Sequence, residues 1–322
     1  MKTRLLGCVA ALSLLGVGCD QPEPDCSASH LSFAARMAKT SGDDACRLLG
    51  PYTGDVLGVE TYYPSLGGDP PRPDVEHPFI AIKASTLQGI YGAQASAYGV
   101  GDPDADVRDP TPTTRQFYAL GDFTGVDPVD QLCTVPTFRS RAEYISTEFP
   151  AVTCGGTGGG GGAGGAGGGD ATGGAGGCVE DPGTPAFNIT QEWSNFRMVD
   201  RDDAVGTVFT AQMTYSEAQT VAGDTISCGA TYDVIAIAPP IDCSVYDADG
   251  APTGEPDPAL CDPEPDVAAG RLAGSGLNPK LTSLIQCLDS GAAPGPFRFG
   301  GNFQCVLVAN SVEEVKAALD AE

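Results

Sequence analysis

Phe209-Thr210-Ala211-Gln212-Met213-Thr214-Tyr215-Ser216 is the stretch on which the fold turns. Apolar residues occupy Phe209, Ala211, Met213 and Tyr215, and hydroxyl or amide residues fill every position between them. A period of two places successive side chains on opposite faces of an extended chain, so this is a strand with one buried and one wet face. Upstream, Phe187, Ile189 and Trp193 share one parity, whereas Phe196 and Met198 take the other. A bulge or bend near Asn195 reconciles the two. Downstream, Ile226 to Ala238 is a long β-prone run, with Cys228 and Tyr232 on one parity. Phe303, Cys305, Leu307 and Ala309 complete a set of four segments suited to one antiparallel sheet.

Two helices are expected beside that sheet. Asn278-Pro279 combines an N-cap with proline at the first helical position, and Leu281, Leu284, Ile285 and Leu288 then follow at helical spacing. Cys287 adjoins that stripe and would staple the helix to the sheet or to the loop between Cys243 and Cys261. Ser311 and Glu314 have capping-box spacing, opening a last helix with Val312, Val315 and Leu319 on one face. Residues 247–276, dense in Asp, Pro and Gly, read as surface loop.

Before this half, residues 20–154 read as mixed. Leu31 to Lys39 is helix-like, and Ser41 to Asp44 has capping-box spacing ahead of Cys46, Leu48 and Leu49. A Cys26–Cys46 bond would clamp those two turns. Phe79 to Lys83 reads as a strand, Ser85 to Ala97 as helix-compatible, and Phe117 to Phe123 as a short strand. Residues 99–115 read as loop, and Ser140 and Glu143 again have capping-box spacing. The fold class expected is α+β: an antiparallel sheet with flanking short helices, stabilised by disulfides, with long Gly/Pro/Asp loops.

In residues 155–177, 16 of 23 are glycine. Such a run buries no apolar area to offset its ordering cost and is expected to be flexible. Cys154 and Cys178 flank it. Paired, they would make it a loop on one domain; paired elsewhere, they would leave it a linker between two. The chain thus divides into residues 1–18, an N-terminal region 19–154, the run 155–177 and a C-terminal region 178–322.

Met1 to Gly18 has the layout of a secretory signal: Lys2 and Arg4, an apolar run from Leu5 to Leu15, and small residues before a cysteine. The run is shorter than the roughly 20 residues that cross a bilayer as a helix, and no later stretch approaches that length. Gly16-Val17-Gly18-Cys19 resembles the lipobox of bacterial lipoproteins, with Gly16 where that family usually carries an aliphatic residue and Leu15 one place earlier. The resemblance implies cleavage after Gly18, acylation of Cys19, and a bacterial cell-envelope protein held on a membrane by its lipid.

Loss of Lys2 and Arg4 from the 17 basic residues leaves 15 against 42 acidic ones, a formal charge of −27. That balance argues against nucleic acid as a partner, because such affinity comes largely from Lys and Arg on phosphates. Envelope proteins or surface polymers are the partners expected instead. Ten cysteines remain after Cys8 and Cys19: Cys26, Cys46, Cys133, Cys154, Cys178, Cys228, Cys243, Cys261, Cys287 and Cys305. An even set in an exported chain reads as disulfides, up to five, with pairing that sequence does not decide. No CxxC pair is present, which argues against zinc and redox chemistry.

No catalytic residue is assigned. His30 and His77 are the only histidines, and Glu76 beside His77 is not a directional partner. No Gly-x-Ser-x-Gly elbow exists, and the glycine run lacks the Lys-Ser/Thr ending of a phosphate loop. No cofactor is called for, with calcium the one ion considered. Acidic clusters lie at Asp102/Asp104/Asp106/Asp109, at Asp200/Asp202/Asp203, and at Asp247, Asp249, Glu255 and Asp257. The last cluster is the calcium candidate, although its glycine sits at the fourth rather than the sixth position of an EF-hand loop. Tyr62-Tyr63 and Trp193 are the aromatics considered as ligand-facing, Trp193 on a core parity. The function expected is a non-enzymatic envelope component with a structural or interaction role. A calcium- or carbohydrate-binding surface module and a hydrolase using two carboxylates are the alternatives.

Overall fold

The computed structural model describes residues 26–28, 30, 32–43, 53–87, 117–146, 187–221, 224–289 and 303–321. Its centre is one nine-stranded antiparallel sheet with strands from both sides of the glycine-rich run. The strands are β1 (Ser32–Gly42), β2 (Gly54–Tyr62), β3 (Phe79–Ala84), β4 (Ala119–Asp122), β5 (Leu132–Thr137), β6 (Ala142–Ser146), β7 (Phe187–Val199), β8 (Val208–Val221) and β9 (Asp224–Ile237). Sequence neighbours pair from β1 to β4 and from β6 to β9, β5 and β6 both pair with β7, and β9 returns to pair with β1. At the other edge Gly121 bridges Phe138, and Thr124 N–H donates to the Thr134 carbonyl at 2.9 Å. The sheet is therefore a nearly closed up-and-down barrel.

Its interior is the alternation of Phe209–Ser216 continued around the ring. Phe209, Ala211, Met213 and Tyr215 point inward, joined by Phe33, Met37, Leu57, Ile80, Ile82, Phe196 and Met198. Phe196 packs on Phe209 with ring centroids 4.9 Å apart, and Phe33 meets Phe209 edge-on at 5.2 Å. The bend expected near Asn195 is present: Asn195 adopts φ +51°, and the β7–β8 register shifts between Ser194 and Arg197. That shift returns Phe196 and Met198 to the inward face.

A second apolar layer lies outside the barrel. Residues 240–321 carry the hairpins β10 (Ser244–Tyr246)/β11 (Pro252–Pro256) and β12 (Ile285–Asp289)/β13 (Phe303–Leu307), 3₁₀ turns at Pro258–Cys261 and Pro279–Leu284, and the helix α1 (Val312–Asp320). Leu281, Leu307, Val312, Val315 and Leu319 pack on Val199, Val208, Ile235 and Ile237, the outward residues of the barrel. Arg36 of β1 fastens the two layers, donating to the carbonyls of Leu307 at 3.0 Å and Ala309 at 2.6 Å.

Several local expectations are overturned. Leu31 to Lys39 is not helical; its described residues belong to β1, because Phe33, Ala35 and Met37 face the barrel interior. Ser41 lies near the end of that strand, and the short helix expected through Cys46, Leu48 and Leu49 lies outside the described residues. Ser140 caps no helix: its hydroxyl accepts from Leu120 N–H, and β6 follows. Asn278 does cap Lys280 N–H, but the turn stops at Leu284 and Ile285 to Asp289 pair with β13 instead of extending a helix. Phe303 to Leu307 consequently belongs to that hairpin and not to the main sheet. The last helix stands as expected, with Ser311 Oγ accepting from Glu314 N–H.

Cys26 pairs with Cys133 and not with Cys46, and Cys243–Cys287 and Cys261–Cys305 pin the C-terminal layer. Cys228 is disulfide-bonded as well. Cys19, Cys46, Cys154, Cys178, the run 155–177 and the acids at 102–109 lie outside the described residues. Residues 85–87 are helical, as expected for the start of the segment at Ser85. No helix among the described residues is long and apolar enough to cross a membrane.

Candidate functional site: an aromatic groove on the outer wall

The side chains that leave the barrel on β2, β3 and β4 make its most distinctive surface. Inward residues Leu57, Val59, Ile80, Ile82 and Ala119 fix the alternation, so Gly58, Glu60 and Tyr62 face out from β2 and Phe79, Ala81 and Lys83 from β3. Register pairs Gly58 with Lys83, Glu60 with Ala81, Tyr62 with Phe79, and Ala81 with Leu120. Small residues thus occupy the middle, and large ones the rim. The result is a cavity of 560 Å³ lined by Tyr62, Phe79, Tyr118, Leu120, Glu60 and Lys83. That size falls within the range of small-molecule sites.

The rim is held in place. The rings of Tyr62 and Phe79 stack with centroids 5.5 Å apart and planes 18° from parallel. Tyr62 donates its hydroxyl to Glu60, and this bond together with burial raises the phenol above its ordinary pKa. The Arg139 guanidinium lies 4.6 Å from the Phe79 ring centroid and pairs with Asp122. Arg139 N–H also donates to the Leu120 carbonyl at 2.8 Å. Tyr62 and Tyr118 nevertheless remain 41 % and 45 % exposed. A ring held as Tyr62 is, yet accessible, loses little conformational freedom when a ligand covers it. A second cavity of 630 Å³ lies across Arg139, with Arg141, Glu143 and Glu192 on its wall. There Arg141 pairs with Glu143 at 2.9 Å and with Glu192 at 3.4 Å.

The residues considered from sequence are dispersed. Asp247 Oδ1 accepts from Asp249 N–H at 3.0 Å and Ala251 N–H at 2.8 Å, and Asp257 caps Ala259 N–H at 3.1 Å. These carboxylates shape turns, and they do not gather with Asp249 and Glu255 into one cluster among the described residues. The close groups that do occur, Cys243/Cys261/Cys287 and Cys26/Cys133/Asp200, consist mainly of disulfide sulfurs, which carry no thiolate charge for a metal. Asp203 pairs with Arg201 and Lys280. His30 is exposed, and His77 meets Asp74 at 2.9 Å rather than Glu76. Trp193 is buried, as its parity implied. Of the aromatics considered, Tyr62 enters the groove; Phe79, Tyr118 and Lys83 were not singled out, since only the register of three strands brings them together.

Fold and surface together define a disulfide-bonded antiparallel barrel with a structured outer groove. The family model MlpA matches residues 31–239, which is the barrel from one residue before β1 to two residues after β9. The chain belongs to the MlpA family, a lipoprotein family, and the C-terminal layer lies outside the matched span. A membrane-anchored envelope protein fits that membership. No curated protein and no solved structure matches the chain.

Proposed function

We propose that this is a non-enzymatic, lipid-anchored envelope protein, tethered at Cys19, whose barrel holds a surface carbohydrate in the groove above Ala81. The observation that carries the reading is the groove itself: Tyr62, Phe79 and Tyr118 ring a depression floored by Gly58 and Ala81. Sugar rings present C–H faces to an aromatic platform and hydroxyls to its polar edges. Tyrosine supplies both an apolar body and a polar tip. Glu60 and Lys83 offer an acceptor and a donor at the groove wall.

Electrophoresis of the detergent-solubilised chain through gels containing purified envelope polysaccharide tests the proposal. The wild type is expected to be retarded, and Tyr118→Ala and Tyr62→Ala to migrate as in polymer-free gels. Equal retardation of all three would remove the groove from consideration. Intact-mass measurement of the membrane-extracted protein tests the tether, with a chain beginning at acylated Cys19 expected.

A further inference from the structure

Among the described residues, Lys83 is a cation without a partner in a protein that has few cations to spare. The sequence holds 17 basic residues against 42 acidic ones. Among the described residues, the other half-buried Lys and Arg side chains are all engaged. Arg36 bonds two carbonyls, Arg197 pairs with Glu313, Arg201 with Asp203 and Asp320, and Arg271 with Asp262 and Asp266. Lys316 donates to the Asp130 carbonyl. Lys83 makes no hydrogen bond and no ion pair among the described residues, although it is half-buried in the wall of the groove. Its partner on β2 is Gly58, so no side chain meets it from that strand. The nearest acid in the lining, Glu60, already accepts the Tyr62 hydroxyl.

Resting on the groove reading above, we infer that the groove takes an acidic glycan, with a uronic-acid ring against Tyr118 and its carboxylate on Lys83. The register places these groups suitably: Ala119 pairs with Ile82, so Tyr118 falls beside Lys83 on the outer wall. An ammonium partly removed from water gains a charge-assisted hydrogen bond on meeting a carboxylate, which a neutral hydroxyl supplies less well. The chain's formal charge of −25 repels an acidic polymer at a distance, so the selectivity resides in contact and not in steering. At ~0.15 M salt, where the screening length is about 8 Å, that repulsion is damped and the contact pair is not.

The test is calorimetric titration of the full chain in detergent at that salt. The acidic probes are tetragalacturonate and tetramannuronate; the neutral probes are galactotetraose and mannotetraose. At least one uronate is expected to bind about tenfold or more tightly than its neutral counterpart. Lys83→Gln should erase that difference, Lys83→Arg should restore most of it, and Tyr118→Ala should weaken acidic and neutral probes alike. Thermal unfolding of each variant verifies its fold. Equal affinity for acidic and neutral probes, unaltered in Lys83→Gln but lost in Tyr118→Ala, overturns the acidic ligand while the groove stands. Binding unchanged in Tyr118→Ala overturns the groove as well. No binding of either uronate at millimolar concentration overturns the inference, and polysaccharide electrophoresis then judges the groove separately.

Discussion

Gln191 carries a primary amide fully inside the barrel, and neither its oxygen nor its nitrogen has a hydrogen-bond partner among the described residues. It belongs to the polar end of an otherwise apolar interior, beside Tyr215, whose hydroxyl donates to the buried Glu217 carboxylate at 2.8 Å. Burial, and then the Glu217 charge, push the Tyr215 phenol well above its ordinary pKa. A buried amide without partners costs about 1–3 kcal/mol in lost hydration. Gln191→Met keeps the length and removes the polar atoms, so it is expected to raise stability by roughly 1 kcal/mol. Denaturant unfolding monitored at Trp193 measures this; a loss of stability would mean that the amide is bonded to something when the barrel is folded.

At the scale of elements, closure of the barrel depends on how near β4 comes to β5. A Cβ built on Gly121 would lie 2.5 Å from Val135 Cγ1 and 3.0 Å from the Phe138 ring. Gly121→Val is therefore expected to part the two strands and cost about 1–3 kcal/mol, as overpacking of a filled core does. Melting temperature measures it, and an unchanged value would mean that the edge is already open. The turns carrying Asp247 and Asp257 support a further expectation. Because these carboxylates already bond backbone N–H groups, calcium and a chelator are expected to leave the melting temperature alike. A calcium-dependent rise would restore the ion to the picture.

These elements also show what the sequence could disclose. Strands with strict alternation, such as Phe209–Ser216, were legible because both faces of the barrel wall meet different surroundings. β1 was not: Ser-Phe-Ala-Ala-Arg-Met-Ala-Lys is rich in good helix formers, and pairing with β2 and β9 overrides that propensity. The turn at Asn278 was legible from its cap, but its continuation was decided by β13 and by Cys287 bonding Cys243. Tyr62 could be noticed as an aromatic. The groove could not, since it is a product of register between strands as far apart in sequence as Gly58 and Leu120.

For the whole molecule, the junction between barrel and C-terminal layer combines apolar packing with a small ion network. Arg201 pairs with Asp203 at 3.0 Å and with Asp320 of α1 at 2.6 Å, and Lys280 pairs with Asp203 at 3.1 Å. Burial alone would raise the Asp203 carboxyl, but Lys280 and Arg201 outweigh it and hold the group below its ordinary value. A carboxylate depressed in the folded state stabilises above its unfolded pKa, and that contribution disappears as pH falls through the folded one. Asp203→Asn is accordingly expected to be less stable than wild type near pH 7, by up to about 1 kcal/mol given its partial exposure. The gap should close in acid, and a gap independent of pH would assign the loss to packing.

The same junction makes the two layers unequal under reduction. Cys243–Cys287 and Cys261–Cys305, each separated by 44 residues, hold together a layer of short hairpins and turns. The barrel carries Cys26–Cys133 and the disulfide at Cys228 as well, but it has in addition a continuous strand ladder and its own buried core. Loop-closure entropy assigns roughly 4 kcal/mol to a crosslink of that span, large beside what so few elements bury. Reduction is therefore expected to expose β12, β13 and α1 to amide exchange while β7, β8 and β9 stay protected. Hydrogen exchange with peptide resolution, with and without reductant, measures this directly. Simultaneous loss of protection in both layers would mean that the barrel needs the C-terminal layer to stand, and that the family-matched span 31–239 is not a folding unit by itself in this chain.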